Sequence, residues 1–147
     1  MHYLRRVYAL ANQGKPVTPV ADHAERDRDN DVVEDEALMF ESHLLCHSDC
    51  DGFYVPVAFD FPVFVSGTDD FGGGMIGSSQ GLLAELRRCA PAIGIRLEPD
   101  GELSDEEAER IGGLEDDAPF HIESVVWLTL HEACRESIAG GHAIAFQ

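Results

Sequence analysis

The order of the apolar segments constrains the fold of this chain more than any other feature. Short runs rich in β-forming residues come first, at residues 42–47, 53–57 and 61–65, and segments with helical periodicity follow them. Residues 142–146 have the composition of one closing strand. Strands grouped before helices predict an α+β or mixed α/β fold, in which two or three helices cover a single small sheet.

Three later segments have the spacing of amphipathic helices. Residues 82–89 carry leucines on one face, and residues 104–111 begin with the capping-box pair Ser104 and Glu107. The longest segment, residues 122–138, has an apolar stripe that we expect to face the core. This stripe consists of Ile122, Val125, Val126, Leu130, Ala133 and Ile138. A further short strand at residues 93–97 is compatible with the pattern.

Individual positions in these helices allow sharper expectations. Leu86 and Leu130 are predicted to be core residues. Glu123, Trp127 and His131 are spaced four residues apart and share one face. We expect Trp127 to be half-buried, with Glu123 and His131 forming a polar rim around it.

The glycine-rich stretch GGGMIGSS, residues 72–79, precedes the first of these helices. It lacks the Gly-Lys-Ser/Thr element of a P-loop, and Asp69 and Asp70 directly before it would repel a phosphate. Close packing of a strand against a helix, or a mobile loop that contacts a partner, is the expected use of these glycines. Ser78 or Ser79 is placed to cap the helix that follows.

The start of the chain differs from the rest in composition. Residues 1–14 contain apolar side chains at helical spacing and predict a short N-terminal helix. Residues 15–36 hold two prolines, many charges and few large apolar groups, which predicts a flexible acidic linker. Residues 37–147 then form the single globular domain.

The charge of the chain restricts its partners. Its 147 residues include 28 acidic and 10 basic ones, for a formal net charge of −18. Nucleic acid is an unexpected partner, because its binding is driven by Lys and Arg neutralising phosphates. A cationic protein would be attracted to this surface, and its association would be faster at low salt.

A cluster of polar residues in the sequence HLLCHSDCDG, residues 43–52, suggests a metal site as an alternative. Cys46, His47 and Cys50 are side chains that bind zinc. His43 could join them only in a helix over residues 35–47, since a strand would separate it from His47 by about 13 Å at ~3.3 Å per residue. In a strand and turn, the fourth ligand must come from elsewhere, for example His131 or Cys134.

The segment CHSDCDGFYVP, followed by GGGMIGSSQGLLAELR, resembles small uncharacterised bacterial proteins that carry a His-Ser-Asp-Cys-Asp-Gly turn. The resemblance covers roughly residues 43–90 and extends to the last helix. It implies no activity and assigns no role to any residue. Residues 1–36 have no counterpart in it.

Two classes of function follow from these features. The favoured one is an acidic, non-enzymatic binding module that masks a cationic partner, most concretely an immunity or inhibitor protein against a basic toxin such as a nuclease. Its contacts are predicted at four carboxylates next to turns, Asp49, Asp51, Asp69 and Asp70. The alternative is a zinc protein, with hydrolase activity as one form, that uses Cys46, His47 and Cys50.

The sequence also carries expectations about location. No stretch near residue 1 resembles a secretory signal, and no apolar run approaches the ~20 residues that span a bilayer. We therefore expect a cytoplasmic protein with reduced thiols and no membrane partner. The oligomeric state is open at this point.

Overall fold

The computed structural model describes residues 1–47, 52–67 and 74–146. Six α-helices and four strands lie in these residues. The helices are α1 His2–Asn12, α2 His23–Asp27, α3 Asn30–Ala37, α4 Ser79–Cys89, α5 Asp105–Gly112 and α6 His121–Gly140. The strands are β1 Phe53–Val55, β2 Val63–Val65, β3 Gly74–Ser78 and β4 Ile144–Ala145. The predicted α+β class is confirmed.

The four strands form one mixed sheet in the order β2-β3-β1-β4. β1 and β3 are parallel, with Tyr54 opposite Gly77, while β2 and β4 join the sheet antiparallel at its two edges. A parallel pair needs a crossover connection. Here the connection between β1 and β3 contains the edge strand β2.

β3 lies where the sequence indicated only a glycine-rich loop. Gly77 allows β3 to lie next to β1, because a Cβ on this residue would lie 2.3 Å from the Tyr54 ring. Only glycine allows the two strands to meet with the tyrosine between them. Gly81 in α4 serves in the same way, since its Cβ would lie 2.3 Å from the His43 ring. Ser78 caps α4 by accepting a hydrogen bond of 3.0 Å from the Gly81 N–H.

The core lies between the sheet and helices α1, α4 and α6, which pack against one another. Leu86 and Leu130 are buried, as predicted. The predicted N-terminal helix is present as α1, and its inner face is fully enclosed at Leu4 and Val7. None of the helices in the described part of the chain has the length and apolar character that a membrane crossing requires.

The buried face of α6 differs from the predicted apolar stripe. Ile122, Val125 and Ile138 are 47%, 41% and 37% exposed. Trp127 is completely buried, and its indole N–H donates a 2.7 Å hydrogen bond to the Leu86 carbonyl. His131 is buried beside it, with the two rings stacked at 4.7 Å. Glu123 and His131, which we expected to form a polar rim around a half-buried Trp127, therefore lie with it on the buried face of the helix.

Two predicted strands are absent from the described residues. Residues 43–46 form a turn rather than a strand or the end of a helix, because α3 ends at Ala37. The reason is tertiary: the Glu85 carboxylate accepts hydrogen bonds from the N–H groups of His43 and Leu44 and holds them in a turn. The predicted strand at residues 93–97 is also absent, because Ile93 ends a 3-10 helix, Ala90–Ile93, and residues 94–97 contain no strand.

Residues 15–36 contain helices α2 and α3 where the composition indicated a linker without regular structure. Asp22 caps α2 locally by accepting a hydrogen bond from the Glu25 N–H, and contacts with α1 hold α3 in place. The buried guanidinium of Arg6 forms an ion pair of 2.6 Å with Asp29 and donates to the Thr18 carbonyl. At the other end of α3, Glu36 accepts hydrogen bonds from the Asn12 and Gln13 amides. The flexibility of this segment and the division into three regions stay predictions.

α5 begins as the sequence predicted, with the Ser104 hydroxyl accepting a hydrogen bond from the Glu107 N–H. Glu107 does not complete the capping box. Its carboxylate is buried and accepts hydrogen bonds from the guanidinium groups of Arg96 and Arg110, at 2.7 and 2.6 Å. The hydrogen bonds from Arg110, followed by those from Arg96, lower the pKa of Glu107 to about 2.

The ion pairs of Glu107 predict a loss of stability in acid. Because the pKa is lower in the folded state than its ordinary value of 4.5, the contribution is complete above pH 4.5 and disappears as the pH falls towards 2. Glu107→Gln should lower the free energy of unfolding by about 2 kcal/mol at pH 7, since the exposed guanidiniums are screened by solvent. Urea titrations of both proteins between pH 7 and 2 should converge at low pH. A constant difference would contradict the prediction.

Candidate partner-binding surface

The four carboxylates predicted to bind a partner, Asp49, Asp51, Asp69 and Asp70, lie outside the described residues. Their role stays a prediction. The neighbouring elements are in place: one pair follows the turn at residues 43–46 and precedes β1, and the other lies between β2 and β3.

Two of the three candidate zinc ligands lie in the described residues. Cys46 is half-buried and His47 is buried, whereas Cys50 lies outside the described residues. The His47 ring stacks on Tyr54 at 5.7 Å and contacts the Phe146 ring edge at 4.3 Å. Burial raises the pKa of the Cys46 thiol, which disfavours the thiolate form that binds metals. Among residues 1–47, 52–67 and 74–146, no three His, Cys, Asp or Glu side chains form a group that could hold a metal ion.

His43, the fourth possible ligand, is a structural residue. Its Nδ1 accepts a hydrogen bond from the Ser78 N–H, and its Nε2 donates to the Phe59 carbonyl, both at 3.2 Å. Burial lowers its pKa, which favours the neutral ring that this pattern requires. The histidine thereby joins the start of α4 to the loop before β2.

Most basic side chains are neutralised within the protein. Arg26, Arg87 and Arg135 form ion pairs with Asp27 or Glu102, in addition to the three arginines already described. Burial lowers the pKa of His131 to about 4, so that this ring adds no positive charge at neutral pH. The excess of negative charge is therefore left at the surface.

One group of exposed carboxylates lies on α3. Asp31, Glu34 and Asp35 point away from the half-buried Val32 and Val33. Their spacing of three and four residues places them on one helical face, with Cβ atoms about 5–6 Å apart. None of the three forms an ion pair with a described residue.

A second group extends from α5 to the start of α6. Its exposed members in α5 are on the side away from the buried Glu107, and the others lie in the connection between the two helices. The residues are Asp105, Glu106, Glu109, Glu115, Asp116 and Asp117. Within this group, the Nε2 of His121 lies 3.6 Å from the Asp116 carboxylate.

A cavity of about 490 Å³ connects this group to the N-terminal region. We call it the acidic cleft and define it by Glu25, Asp116, Asp117 and Glu123, which line it together with Tyr3 and Phe120 among other residues. Glu123 is only 3% exposed, and its Oε1 has no hydrogen-bond partner among the residues that the structure describes. Burial raises the pKa of this carboxyl, although the charges of Arg6 and His121 oppose the rise.

The arrangement suits the binding of positive groups. Several carboxylates converge on a concave site, where an ammonium or guanidinium group would gain charge pairing and charge-assisted hydrogen bonds. The Tyr3 ring at the same site already carries the Arg26 guanidinium, 5.3 Å from its centroid. The sequence did not single out Glu25, Asp116 or Asp117, because their proximity depends on how α2 and the α5–α6 connection pack. The only early signal was the high acidity of both segments.

Comparison with known protein families gives these observations a biological setting. A family model described as "Putative DNA-mimic protein" matches residues 1–146. The chain belongs to this family. No curated protein and no solved structure shows significant similarity to it.

Members of a DNA-mimic family present acidic groups in place of a polyanion. The protein is accordingly an acidic binding module whose partner is a basic, DNA-binding protein. The match includes residues 1–36, for which the earlier resemblance offered no counterpart.

Proposed function

We propose that this protein inhibits a basic DNA-binding protein by occupying the surface with which that partner binds DNA. The observation that carries the proposal is the family match over residues 1–146 on a chain whose exposed carboxylates exceed its free cations. The most concrete form is an immunity or inhibitor protein against a basic toxin such as a nuclease. The cytoplasm, where such a partner would meet DNA, is the proposed compartment.

The chemistry of mimicry follows from the charge of DNA. Duplex DNA carries one negative charge per ~1.7 Å of its axis, and proteins that bind it present matching Lys and Arg groups. Carboxylates on helical faces and in the acidic cleft offer such groups several fixed negative charges. Because the acidic protein and DNA would use the same basic surface, their binding should be mutually exclusive.

A competition experiment tests the proposal. A basic partner captured from the host should release a labelled DNA duplex when this protein is added, and its affinity for the protein should fall steeply with salt. The fall is expected because the Debye length shrinks from ~10 Å at 0.1 M to ~3 Å at 1 M ionic strength. If the partner bound DNA and this protein at the same time, mimicry would be excluded. For a nuclease partner, loss of DNA cleavage is the matching readout.

Charge-neutralising variants then locate the contacts. Substituting Glu25→Gln, Asp116→Asn and Asp117→Asn together should weaken binding at least ~10-fold, mainly by slower association. The control triple, Glu41→Gln, Glu132→Gln and Glu136→Gln, removes the same charge elsewhere and should have a smaller effect. A third variant with Asn at residues 49, 51, 69 and 70 tests the predicted loop contacts. Unchanged affinity and salt dependence in that variant would remove those four residues from the interface.

A further inference from the structure

The side of the protein formed by β2 has a character opposite to that of the acidic surface. Val63, Phe64 and Val65 are 49%, 52% and 44% exposed, so that both faces of this edge strand are accessible. The segment before the turn at residues 43–46 lies beside it, because the Phe40 ring contacts the Phe64 ring at 5.5 Å. We call this surface the edge patch. It consists of Leu38, Met39, Phe40, Phe61, Val63, Phe64 and Val65.

The edge patch contains no charged side chain, although the chain has 28 acidic residues. Residues 37–40 and 61–67 include neither acids nor bases, and Glu41 and Asp60 lie only at its border. A basic partner attracted by carboxylates would find none among these seven side chains. An uncharged apolar surface of the same kind would complement it.

We propose that the edge patch is the interface of a homodimer, in which β2 pairs antiparallel with β2 of a second copy. β2 is at one end of the strand order, and its single strand partner in the described residues is β3. Unpaired edge strands are sites at which sheets join. The sequence Val63-Phe64-Val65 is symmetric about Phe64, so a twofold axis at this residue would place Val63 of each copy opposite Val65 of the other.

The patch offers a broad apolar surface. Its seven residues are each 44–68% exposed, and a standard interface buries about 800 Å² per partner. The dimer would contain one continuous eight-stranded sheet, twice the four strands of the monomer. It would also bring two acidic surfaces into one particle, which lengthens the polyanion that a DNA-binding partner meets.

The salt dependence separates this proposal from the proposed function. Two chains of charge −18 repel each other, so screening should strengthen the dimer, whereas it should weaken binding to a basic partner. Sedimentation equilibrium of the protein alone, at about 0.1 M and 1 M salt, should give twice the mass of 16.1 kDa, with tighter association at high salt. A single mass of 16.1 kDa at all concentrations and both salt levels would overturn the dimer.

Variants locate the interface. Phe64→Asp and Leu38→Asp should each weaken dimerisation at least ~100-fold while the circular dichroism spectrum is retained, because both side chains are exposed in the monomer. Ile122→Asp, at a similarly exposed site on α6, should leave the dimer intact. A dimer that tolerates Phe64→Asp and Leu38→Asp would assign the interface elsewhere. A monomer in which these substitutions reduce affinity for the basic partner would assign the patch to that partner and overturn the proposal.

Cross-linking tests the pairing directly. With the axis at residue 64, the two Phe64→Cys residues would have Cα atoms about 4.5–5.5 Å apart, which permits a disulfide. Mild oxidation should therefore convert most of this variant to a covalent dimer. The wild-type protein and the Ile122→Cys variant, which both retain the native cysteines, should not form a covalent dimer under the same conditions. A yield no higher than in these controls would overturn the proposed register.

Discussion

Glu85→Ala is expected to lower the free energy of unfolding by about 3–5 kcal/mol. The Glu85 carboxylate is buried and accepts hydrogen bonds from the N–H groups of His43 and Leu44 and from the Ser42 hydroxyl, at 2.8, 2.7 and 3.0 Å. Alanine would leave two buried N–H groups without acceptors, at about 1–3 kcal/mol each, and would add a cavity. Chemical denaturation followed by circular dichroism measures the loss.

Two further variants make this result specific. Glu85→Gln keeps one acceptor oxygen and should lose less than the alanine variant. Glu132→Ala removes an exposed carboxylate from α6 and should change stability by less than about 0.5 kcal/mol. If Glu85→Ala resembled Glu132→Ala, the carboxylate would not hold the turn at residues 43–46. The fold of the segment before β1 would then need another explanation.

Trp127→Ala should cost about 3–5 kcal/mol, because it removes the largest fully buried side chain of the described residues. The variant also leaves the Leu86 carbonyl without the indole donor, which lies 2.7 Å away. In contrast, Ile122→Ala on the same helix should cost less than about 1 kcal/mol, since Ile122 is 47% exposed.

This pair of variants distinguishes two orientations of α6. The apolar stripe of the sequence would make Ile122 a core residue and Trp127 a boundary residue. The structure reverses these positions. Equal losses at both residues, measured by urea denaturation, would contradict the orientation described here, and a larger loss at Ile122 would restore the sequence-based one.

The orientation of α6 also bears on binding. Rotation of the helix towards Trp127 places Glu123 in the wall of the acidic cleft rather than on an outer rim. It also exposes the apolar side chains Val125 and Ile138. The helix therefore buries less apolar surface than the predicted stripe would, because Glu123 and His131 take places on its buried face. In this orientation the Glu123 carboxyl lines the acidic cleft.

Local patterns were sufficient for much of the architecture. The caps at Ser78 and Ser104 and the period of residues 82–89 and 104–111 depend on neighbours in the chain, so the sequence by itself determined where these helices begin and which faces they bury. The same holds for the α+β class and for the acidic nature of the surface. Net charge is a property of composition, and it already pointed to a basic partner.

Tertiary structure decided the features that depend on distant contacts. Residues 43–46 became a turn because Glu85, more than 40 positions away in the chain, supplies the acceptors. The glycine-rich stretch pairs with β1 as β3, and Gly77 permits this pairing because it leaves room for the Tyr54 ring. Within residues 15–36, the Arg6–Asp29 ion pair holds the start of α3 against α1. The acidic cleft arose in the same way, since α2 and the α5–α6 connection meet only in the folded chain, and no local pattern encodes that distance.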